Sequence, residues 1–275
     1  MHPLAERRAR QYLDLLDRLA PGRVVGLYVV GSAALDAFHP DRSDVDLVAV
    51  LDHRDSDDCQ LVRTVHRRSA IRSFPAAIAR GRPSVPGVCN TVFVAADDLR
   101  QPVRAIQPIG SHVGLACHCG SGFDVNPVMW RVLRDHGVAV RGAAPSSLGV
   151  DPEGDVLRQW NLDNLHAYWE PLARTHVAGR PAPRHRFRPR WTTSWLVLGP
   201  TRLYRTIATG EIITKEQAGE HALEVFDSQW HPIIREGLAA RRGDRRTGRF
   251  DGGAAMMREA GRFGLHVVER ADALG

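Results

Sequence analysis

Two aspartates separated by one residue, Asp44 and Asp46, open a strongly apolar segment in the first fifth of the chain. Residues two apart on a β-strand point to the same side, so both carboxylates are expected together. Upstream, Gly31-Ser32 follows another apolar segment, and backbone N–H groups of such a small turn can approach phosphate oxygens closely. Mg²⁺ takes oxygen ligands and commonly bridges protein carboxylates to substrate phosphates. The spacing therefore favours a metal-dependent site for a phosphorylated substrate.

The two parts of this pattern are more informative together than apart. An Asp-x-Asp pair alone is common on surfaces, where Ser32 and Asp44 would merely cap turns. Here the Gly-Ser turn and the aspartates are bracketed by the apolar runs Val24–Val30 and Val45–Leu51, which predict two buried strands. Two metal ions held there would polarise the attacked phosphorus and neutralise a leaving pyrophosphate.

The rest of the chain predicts an α/β domain followed by a helical bundle. Ala143–Gly154 is rich in Pro, Ser and Gly and marks a plausible boundary. Apolar spacing and turn residues predict further elements on both sides of it. Before the boundary these are helices over Leu4–Leu19, Ser56–Ile71 (with Ser56 as its cap) and Pro127–His136, and strands over Thr91–Val94 and Val138–Val140. After it, they are helices near 191–208, 214–226, 229–241 and 253–270.

Composition excludes several protein classes. The 275 residues are 43% hydrophobic and 25% charged, as in soluble globular proteins. No apolar run approaches the ~18 residues that span a bilayer, and no signal peptide is recognisable. Four cysteines in a chain of this length do not predict a disulfide framework. We therefore expect a soluble cytoplasmic protein without membrane contact, a monomer or a weak dimer.

Nearly all of the basic residues are arginines. The net charge of +6 suits anionic small molecules as well as nucleic acid. Of 37 basic residues only Lys215 is a lysine. Either a GC-rich genome has replaced the other lysines by arginine and this one remains by chance, or a compact ammonium is needed at this position. The segment Arg174–Arg190 carries six arginines, three prolines and no acid, and its composition predicts a loop or linker.

These motifs resemble the DNA polymerase β-type nucleotidyltransferases, and within them the aminoglycoside 3''/9-adenylyltransferase family. The resemblance covers most of the chain. It is carried by Leu27-Tyr28-Val29-Val30-Gly31-Ser32, Ser43-Asp44-Val45-Asp46-Leu47, Val92-Phe93-Val94-Ala95-Ala96-Asp97-Asp98-Leu99, His136-Gly137-Val138-Ala139-Val140-Arg141-Gly142, Arg202-Leu203-Tyr204, Thr209-Gly210-Glu211-Ile212 and Lys215.

The resemblance implies an α+β fold. A nucleotidyltransferase domain, a mixed sheet with flanking helices, would occupy residues 1–145. An all-α domain over residues 146–275 would close over it and shape the acceptor pocket. The implied activity is transfer of AMP from ATP to a small-molecule hydroxyl with release of pyrophosphate, as in antibiotic modification. ATP and two Mg²⁺ would be required.

The family's site residues can be placed on this sequence. Asp44 and Asp46 would bind the metals, and the turn at Gly31, with Ser32 and Ser43, would hold the triphosphate. Two cations of the helical half, Arg202 and Lys215, match positions that reach the ATP phosphates. Trp169 matches a tryptophan that lines the aminoglycoside pocket, although plain core packing is the alternative.

This chain departs from the family in two respects. The family's general base, a third carboxylate, falls at Asn90, and an amide cannot accept the proton. The region of the acceptor, acidic in the family, is here the arginine-rich run Arg174–Arg190, which opposes a polycationic aminoglycoside.

Three explanations of these departures stay open. The acceptor is already ionised or phosphorylated, the protein binds nucleotide without turnover, or Asn90 is an introduced change. We favour a nucleotidyltransferase with an acceptor other than a typical aminoglycoside; a nucleotide-binding pseudoenzyme is the alternative. A nucleic-acid-directed transferase is disfavoured, because no aromatic-studded strand platform accompanies the basic run. The sequence does not identify the acceptor or the preferred nucleotide.

Several other residues carry weaker signals. The segment containing His112, Cys117, His118 and Cys119 lacks the usual spacings of a zinc site. Asp124 could contact the ribose or the acceptor, but a loop acid is the simpler interpretation. The tryptophans of the helical half are most simply core residues; they are Trp160, Trp191, Trp195 and Trp230.

Overall fold

The structure is a computed structural model that describes residues 1–79, 89–245 and 248–274. The chain forms two compact units, Met1–Gly154 and Asp155–Gly275. The predicted α+β fold, a mixed sheet with flanking helices in the first unit and helices in the second, is confirmed. The Pro-, Ser- and Gly-rich segment Ala143–Gly154 forms the end of the first unit.

The first unit contains a mixed sheet with helices packed against it. Its elements follow in chain order. They are α1 (Pro3–Leu19), β1 (Val24–Val30), α2 (Gly31–Ala34), β2 (Val45–Leu51), α3 (Asp58–Ala79), β3 (Cys89–Ala95), β4 (Gly110–Val113), β5 (Ala116–Cys119), α4 (Pro127–His136) and β6 (Val138–Arg141).

The strand order in the described sheet is β5-β4-β3-β2-β1-β6. The central strands β2 and β3 run parallel, and the other neighbouring pairs are antiparallel. β1, β2 and β3 are almost entirely buried, which explains why they are continuous apolar runs. The amphipathic helix α1 covers one face of the sheet. Arg141 of β6 also donates two hydrogen bonds, of 2.5 and 2.8 Å, to the Asp17 carboxylate of α1.

Most predicted elements of this unit are confirmed within a few residues, with three differences. Helix α3 continues to Ala79, past the predicted end at Ile71. Helix α3 begins at Asp58, so Ser56 is not its cap; the Ser56 hydroxyl donates to the Asp55 carboxylate instead. The hairpin β4–β5 was not predicted, because its strands are only four residues long and lack an apolar alternation.

This hairpin also carries a disulfide that the cysteine count did not predict. Cys119 of β5 is bonded to Cys59 of α3. The sulfur of Cys119 is therefore not a metal ligand.

The neighbouring His112 ring is buried and lies 2.6 Å from the Tyr12 hydroxyl through Nε2. Burial, with a smaller contribution from His66, lowers the pKa of His112 to about 3, so this histidine is neutral.

The second unit is helical throughout its regular elements. They are α5 (Leu157–Asn164), a π-helical turn (Leu165–Trp169), α6 (Glu170–Val177), α7 (Pro183–Arg186), α8 (Pro189–Thr209), α9 (Lys215–Val225), α10 (His231–Arg242) and α11 (Gly252–Asp272). The helices predicted near 191–208, 214–226, 229–241 and 253–270 are thus confirmed. Within the described ranges, no helix combines the length and apolar character needed to cross a membrane.

The arginine-rich run is only partly the loop that its composition predicts: residues 178–182 and 187–188 lie outside helices. α6 continues to Val177, α7 forms one turn, and α8 begins at Pro189. The reason is the position of the prolines: Pro183 and Pro189 each stand at the first position of a helix, where a fixed φ and a missing N–H cost nothing.

The core of the helical unit depends on a close contact between two helical segments. Trp169 is only 4% exposed, and its ring lies directly on the backbone of Gly199 in α8. A Cβ at residue 199 would lie 2.0 Å from the indole. Only glycine therefore admits the tryptophan, and the aromatic side chain fills the space that the glycine leaves.

Gly199→Ala is expected to destabilise the helical unit by about 1–3 kcal/mol, because the added methyl overlaps a buried ring that has no room to move. Gly264→Ala in α11 is the matched control, since its Cβ would find ordinary contacts of 3.4 Å or more. Alanine there removes a helix-interior glycine and is expected to stabilise by up to ~1 kcal/mol. Denaturant unfolding of both variants measures the difference, and equal stabilities would contradict this packing.

Candidate active site

Strand register brings the predicted carboxylates to one place. Val30 is paired with Asp46 across β1 and β2, and Asp46 is paired with Asn90 across β2 and β3. The three residues form a row across the sheet, so their neighbours Gly31 and Asp44 lie at the same edge. The site is therefore a consequence of pairing three buried strands, each of which ends or begins at this row.

Gly31 permits the Asp46 carboxylate to lie against the turn that follows β1. Its φ of +60° is a left-handed conformation that glycine adopts without penalty. A Cβ at this position would stand 2.2 Å from Oδ2 of Asp46. The carboxylate and the turn backbone are thus in direct contact, in the arrangement that the Gly-Ser and Asp-x-Asp spacing predicts.

The two predicted serines lie on either side of this contact. Ser32 follows Gly31 in the short helix α2 and is half-buried. Ser43 is buried, and its hydroxyl accepts a 3.0 Å hydrogen bond from the backbone N–H of His39, while the Ser43 N–H donates to the His39 carbonyl. These paired bonds close the loop that leads into Asp44 and β2.

Asn90, predicted to stand where the family has a third carboxylate, binds both aspartates. Its Nδ2 donates to Asp46 Oδ1 at 3.1 Å and lies 3.4 Å from Asp44 Oδ2. Its Oδ1 accepts from the backbone N–H of Gly114, in the β4–β5 turn, at 3.0 Å. The N–H of Gly114 requires an acceptor, which fixes the orientation of the amide and directs its NH₂ group to the carboxylates.

Sequence reasoning missed the importance of Asp124, which it treated as a loop acid. The loop before α4 crosses the sheet here: Gly122 packs on Val92, two residues after Asn90, and the Ser111 hydroxyl donates to the Ser121 carbonyl at 2.9 Å. Burial and the nearby Asp46 charge raise the pKa of Asp124 to about 7. A half-buried carboxyl with a strongly perturbed pKa beside another carboxylate is typical of functional sites.

The acidic residues fit a magnesium ion that is shared with a phosphorylated ligand. Asp44 and Asp46 supply hard carboxylate oxygens, and proteins usually contribute one or two carboxylates to Mg²⁺ while phosphates and water complete the coordination. In the part of the chain that the structure describes, no group of three or more His, Cys, Asp or Glu residues is placed to hold a metal ion.

The remaining predicted residues lie in the helical unit. Lys215 is the first residue of α9, and its Nζ lies 4.9 Å from the centre of the Trp195 ring in α8. Arg202 lies seven residues after Trp195 on α8, so both project from the same helix face about 10 Å apart. A cation at a helix N-terminus is unfavourable for the helix dipole.

The helical unit bears on two expectations about tryptophan. Trp169 is buried in the core, which agrees with the packing alternative, and its place in an acceptor pocket stays a prediction. Trp191, predicted to be a core residue, is 47% exposed. Helical spacing places both residues correctly on their helices, but it does not show which face the neighbouring helices cover.

Comparison with known proteins agrees with this architecture. Residues 9–76 match the nucleotidyltransferase domain family, and residues 180–263 match the C-terminal domain family of aminoglycoside adenylyltransferases. These two matches lie in separate units, a nucleotidyltransferase-type domain in the first and an aminoglycoside adenylyltransferase type of C-terminal domain in the second. Among solved structures the chain is similar to the spectinomycin adenyltransferase AAD(9) from Enterococcus faecialis, determined with ATP and spectinomycin.

The structural similarity extends over the entire transferase. The TM-score is 0.69 at 15% sequence identity, and the match covers 97% of this chain and 98% of the other. At this identity the match supports the fold. A search of curated proteins finds no match.

Gly31→Ala tests the contact between the turn and Asp46. The variant is expected to lose about 1–2 kcal/mol for the left-handed φ and a further amount for the overlap with the carboxylate. Gly22→Ala is the matched control, since its φ is +76° but no atom lies within 4 Å of its Cβ position. Unfolding free energies should fall more for Gly31→Ala; equal losses would show that the carboxylate does not contact the turn.

Asp124→Asn tests the buried carboxyl through the pH dependence of stability. A folded-state pKa raised above the unfolded value means that folded protein binds more protons, so stability falls as pH rises from about 4 to about 7. The metal-free Asn variant should therefore match wild type near pH 4 and exceed it by about 1–3 kcal/mol above pH 7. Thermal unfolding across this range measures it, with the exposed Asp97→Asn as control; a constant difference would contradict the raised pKa.

Proposed function

We propose that this nucleotidyltransferase transfers AMP from Mg²⁺-bound ATP to a hydroxyl group of a small molecule and releases pyrophosphate. The support is the contact of the Asp46 carboxylate with the turn at Gly31, with Asp44 joined to Asp46 through Asn90. In this arrangement the carboxylate oxygens and the backbone of the turn would both face the same triphosphate. The match to a structure determined with ATP is consistent with it.

Each residue of the first unit has a distinct role in this proposal. Asp44 and Asp46 would hold two Mg²⁺, and the turn at Gly31 and Ser32 would contact phosphate oxygens. Ser43 would fix the backbone conformation of the loop that leads to Asp44 through its paired hydrogen bonds with His39. When bound, Mg²⁺ neutralises charge on the triphosphate and polarises the phosphorus that is attacked. Positioning and electrostatic stabilisation then supply most of the rate enhancement.

Arg202 and Lys215 would contribute the positive charge of the helical unit to ATP binding. A lysine ammonium is a compact charge on a flexible stem, which suits phosphate oxygens that move during reaction. Its place at the start of α9 adds the partial positive charge of the helix end. These roles follow from the resemblance together with the position of Lys215 on α9.

The acceptor is proposed to differ from a typical aminoglycoside. The run Arg174–Arg190 contains no acid, whereas a polycation needs carboxylate partners. In the structure, part of this positive charge is already engaged: Arg174 pairs with Glu170, and Arg190 donates to the Asp244 carbonyl. The remaining positive charge still favours a neutral or anionic acceptor.

Asn90 supports a second candidate, a protein that binds nucleotide without turning it over. The amide NH₂ donates hydrogen bonds to both carboxylates. An amide also cannot accept a proton from an attacking hydroxyl. Turnover would then need an acceptor that is already ionised. The two candidates differ in whether a carboxylate at residue 90 creates activity.

Asn90→Asp and Asn90→Glu distinguish the candidates. With ATP, Mg²⁺ and a panel of hydroxyl acceptors, a restored base is expected to raise pyrophosphate release by about 10²- to 10⁴-fold, because general-base catalysis contributes that much. A carboxylate at residue 90 retains an acceptor for the Gly114 N–H, so the hairpin turn should keep its place.

Asp46→Asn, combined with either change, is the control and should abolish the gain. If neither carboxylate variant gains activity on any hydroxyl acceptor, the base does not belong at residue 90. If wild type releases pyrophosphate with an ionised acceptor as fast as the variants do, the protein needs no base and the second candidate is wrong.

A further inference from the structure

A disulfide joins the outer edge of the sheet to helix α3. Cys119, the last residue of β5, is bonded to Cys59 in the first turn of α3, 60 residues earlier. β5 is an edge strand, and in the described sheet it pairs with β4 alone. The disulfide therefore holds the end of an edge strand against a helix.

The hairpin that carries this disulfide reaches the candidate active site at its other end. Gly114 lies in the β4–β5 turn, and its N–H donates a 3.0 Å hydrogen bond to Oδ1 of Asn90. Nδ2 of Asn90 in turn lies 3.1 Å from Asp46 Oδ1 and 3.4 Å from Asp44 Oδ2. One short strand and three hydrogen bonds thus connect the disulfide to the two carboxylates.

The turn of this hairpin is exposed. Residues 113–116 all lie at the surface, and the side chain of Leu115 is 84% exposed. β4 is held by its pairing with β3, whereas the end of β5 is held by the disulfide. Short edge strands with exposed backbone open at a low free-energy cost. Loss of the disulfide is therefore expected to loosen β5 and the turn at Gly114.

The disulfide is accessible to a small thiol. Both of its cysteines are half-buried and line an open cleft of about 270 Å³, whose other walls include Arg54, Ser56 and Gln107. A thiol has room to approach the two sulfur atoms from this cleft. Disulfides that solvent reaches are more readily reduced than buried ones.

The reductant has to come from outside the chain. The two other cysteines are Cys89, which is buried, and Cys117, which is half-buried. Burial raises the pKa of the Cys89 thiol to about 12 and also raises the pKa of Cys117. The thiolate is the nucleophile in thiol–disulfide exchange, so neither free cysteine is suited to open the disulfide.

We propose that the Cys59–Cys119 disulfide is a redox-sensitive modification site, opened by an external dithiol, and that its opening releases the Asn90 amide. One thiolate of the dithiol attacks a cysteine sulfur and displaces the other cysteine, which leaves a mixed disulfide. The second thiol of the dithiol then forms a disulfide within the reagent and displaces the remaining cysteine. The protein gains two thiols, and the dithiol loses two electrons and two protons.

Release of the amide changes what the two aspartates face. While Gly114 engages Oδ1, the NH₂ group of Asn90 points to both carboxylates, where it competes with a cation. With the turn loosened, the amide is free to rotate and to present its oxygen, the ligand type that Mg²⁺ takes. The reduced protein is therefore expected to bind Mg²⁺–ATP more tightly. This consequence rests on the proposed function, whereas the loosening of the hairpin does not.

Reduction of the full chain with dithiothreitol tests the proposal without nucleotide. Hydrogen exchange of residues 110–119 is measured by mass spectrometry, with β2 as the internal reference. The side-chain NH₂ of Asn90 is followed by heteronuclear NMR, its signals being assigned by their loss in Asn90→Asp. We expect reduction to accelerate exchange in the hairpin by at least ~10-fold and to shift the Asn90 signals, while exchange in β2 stays the same.

Two sets of variants separate the disulfide from other effects of the reagent. The double variant Cys59→Ser, Cys119→Ser should show the fast exchange without any reductant. Cys117→Ser is the matched control, because it removes a thiol from the same strand and keeps the disulfide. It should respond to dithiothreitol as wild type does.

Unchanged exchange of residues 110–119 after complete reduction, verified by thiol titration, would overturn the proposal. Asn90 signals that do not move would overturn the link to the site. Acceleration in β2 to the same extent as in the hairpin would also overturn it, because the disulfide would then support the whole unit and not the hairpin.

Titration of oxidised and reduced protein with Mg²⁺–ATP tests the consequence for the nucleotide. We expect the reduced protein to bind at least ~3-fold more tightly, and Asn90→Ala to remove the difference, because alanine has no amide to rotate. Equal or weaker binding by the reduced protein would overturn the effect on the aspartates. Absence of binding in both states, with a hairpin that responds to reduction, would count against the proposed function and not against the redox site.

Discussion

The site depends on the repulsion of negative charges that the fold holds close together. Asp44 and Asp46 lie at the start of one buried strand, and Asp124 lies in the loop before α4. Burial, and to a smaller extent the Asp46 charge, raises the pKa of Asp124. Charges of one sign at such short range favour either proton uptake or a counter-charge. The Asn90 amide supplies a partial counter-charge in this structure. Magnesium carried by a triphosphate would supply a complete one, so the geometry is suited to a ligand that brings its own cation.

Strand pairing makes this arrangement inevitable once the core forms. The row Val30, Asp46 and Asn90 is set by the burial of three apolar strands, and a slip of one residue would turn the carboxylate of Asp46 into the apolar side of the sheet. Gly31 then admits the carboxylate against the backbone. In the helical unit a glycine again admits a buried group, since Gly199 makes room for the Trp169 ring.

Much of this could be predicted from sequence because the signals were local. The strands β1 and β2 are continuous apolar runs, and the spacing of Gly31-Ser32 and Asp44-x-Asp46 identified the edge at which they meet. What sequence could not show depends on contacts between distant segments. The β4–β5 hairpin is too short to have a periodicity, yet its Gly114 fixes the Asn90 amide. The loop at Asp124 has no motif, and the exposure of Trp191 depends on which helices pack against α8.

The central claim is that Asp44 and Asp46 bind a nucleotide through magnesium. Isothermal titration of the full chain with ATP, once with Mg²⁺ and once with EDTA, tests it most directly. The account predicts saturable binding of ATP that requires Mg²⁺. It also predicts that Asp44→Asn and Asp46→Asn each weaken this binding by at least ~10-fold. Binding of equal affinity in EDTA, or binding that neither substitution changes, would contradict it.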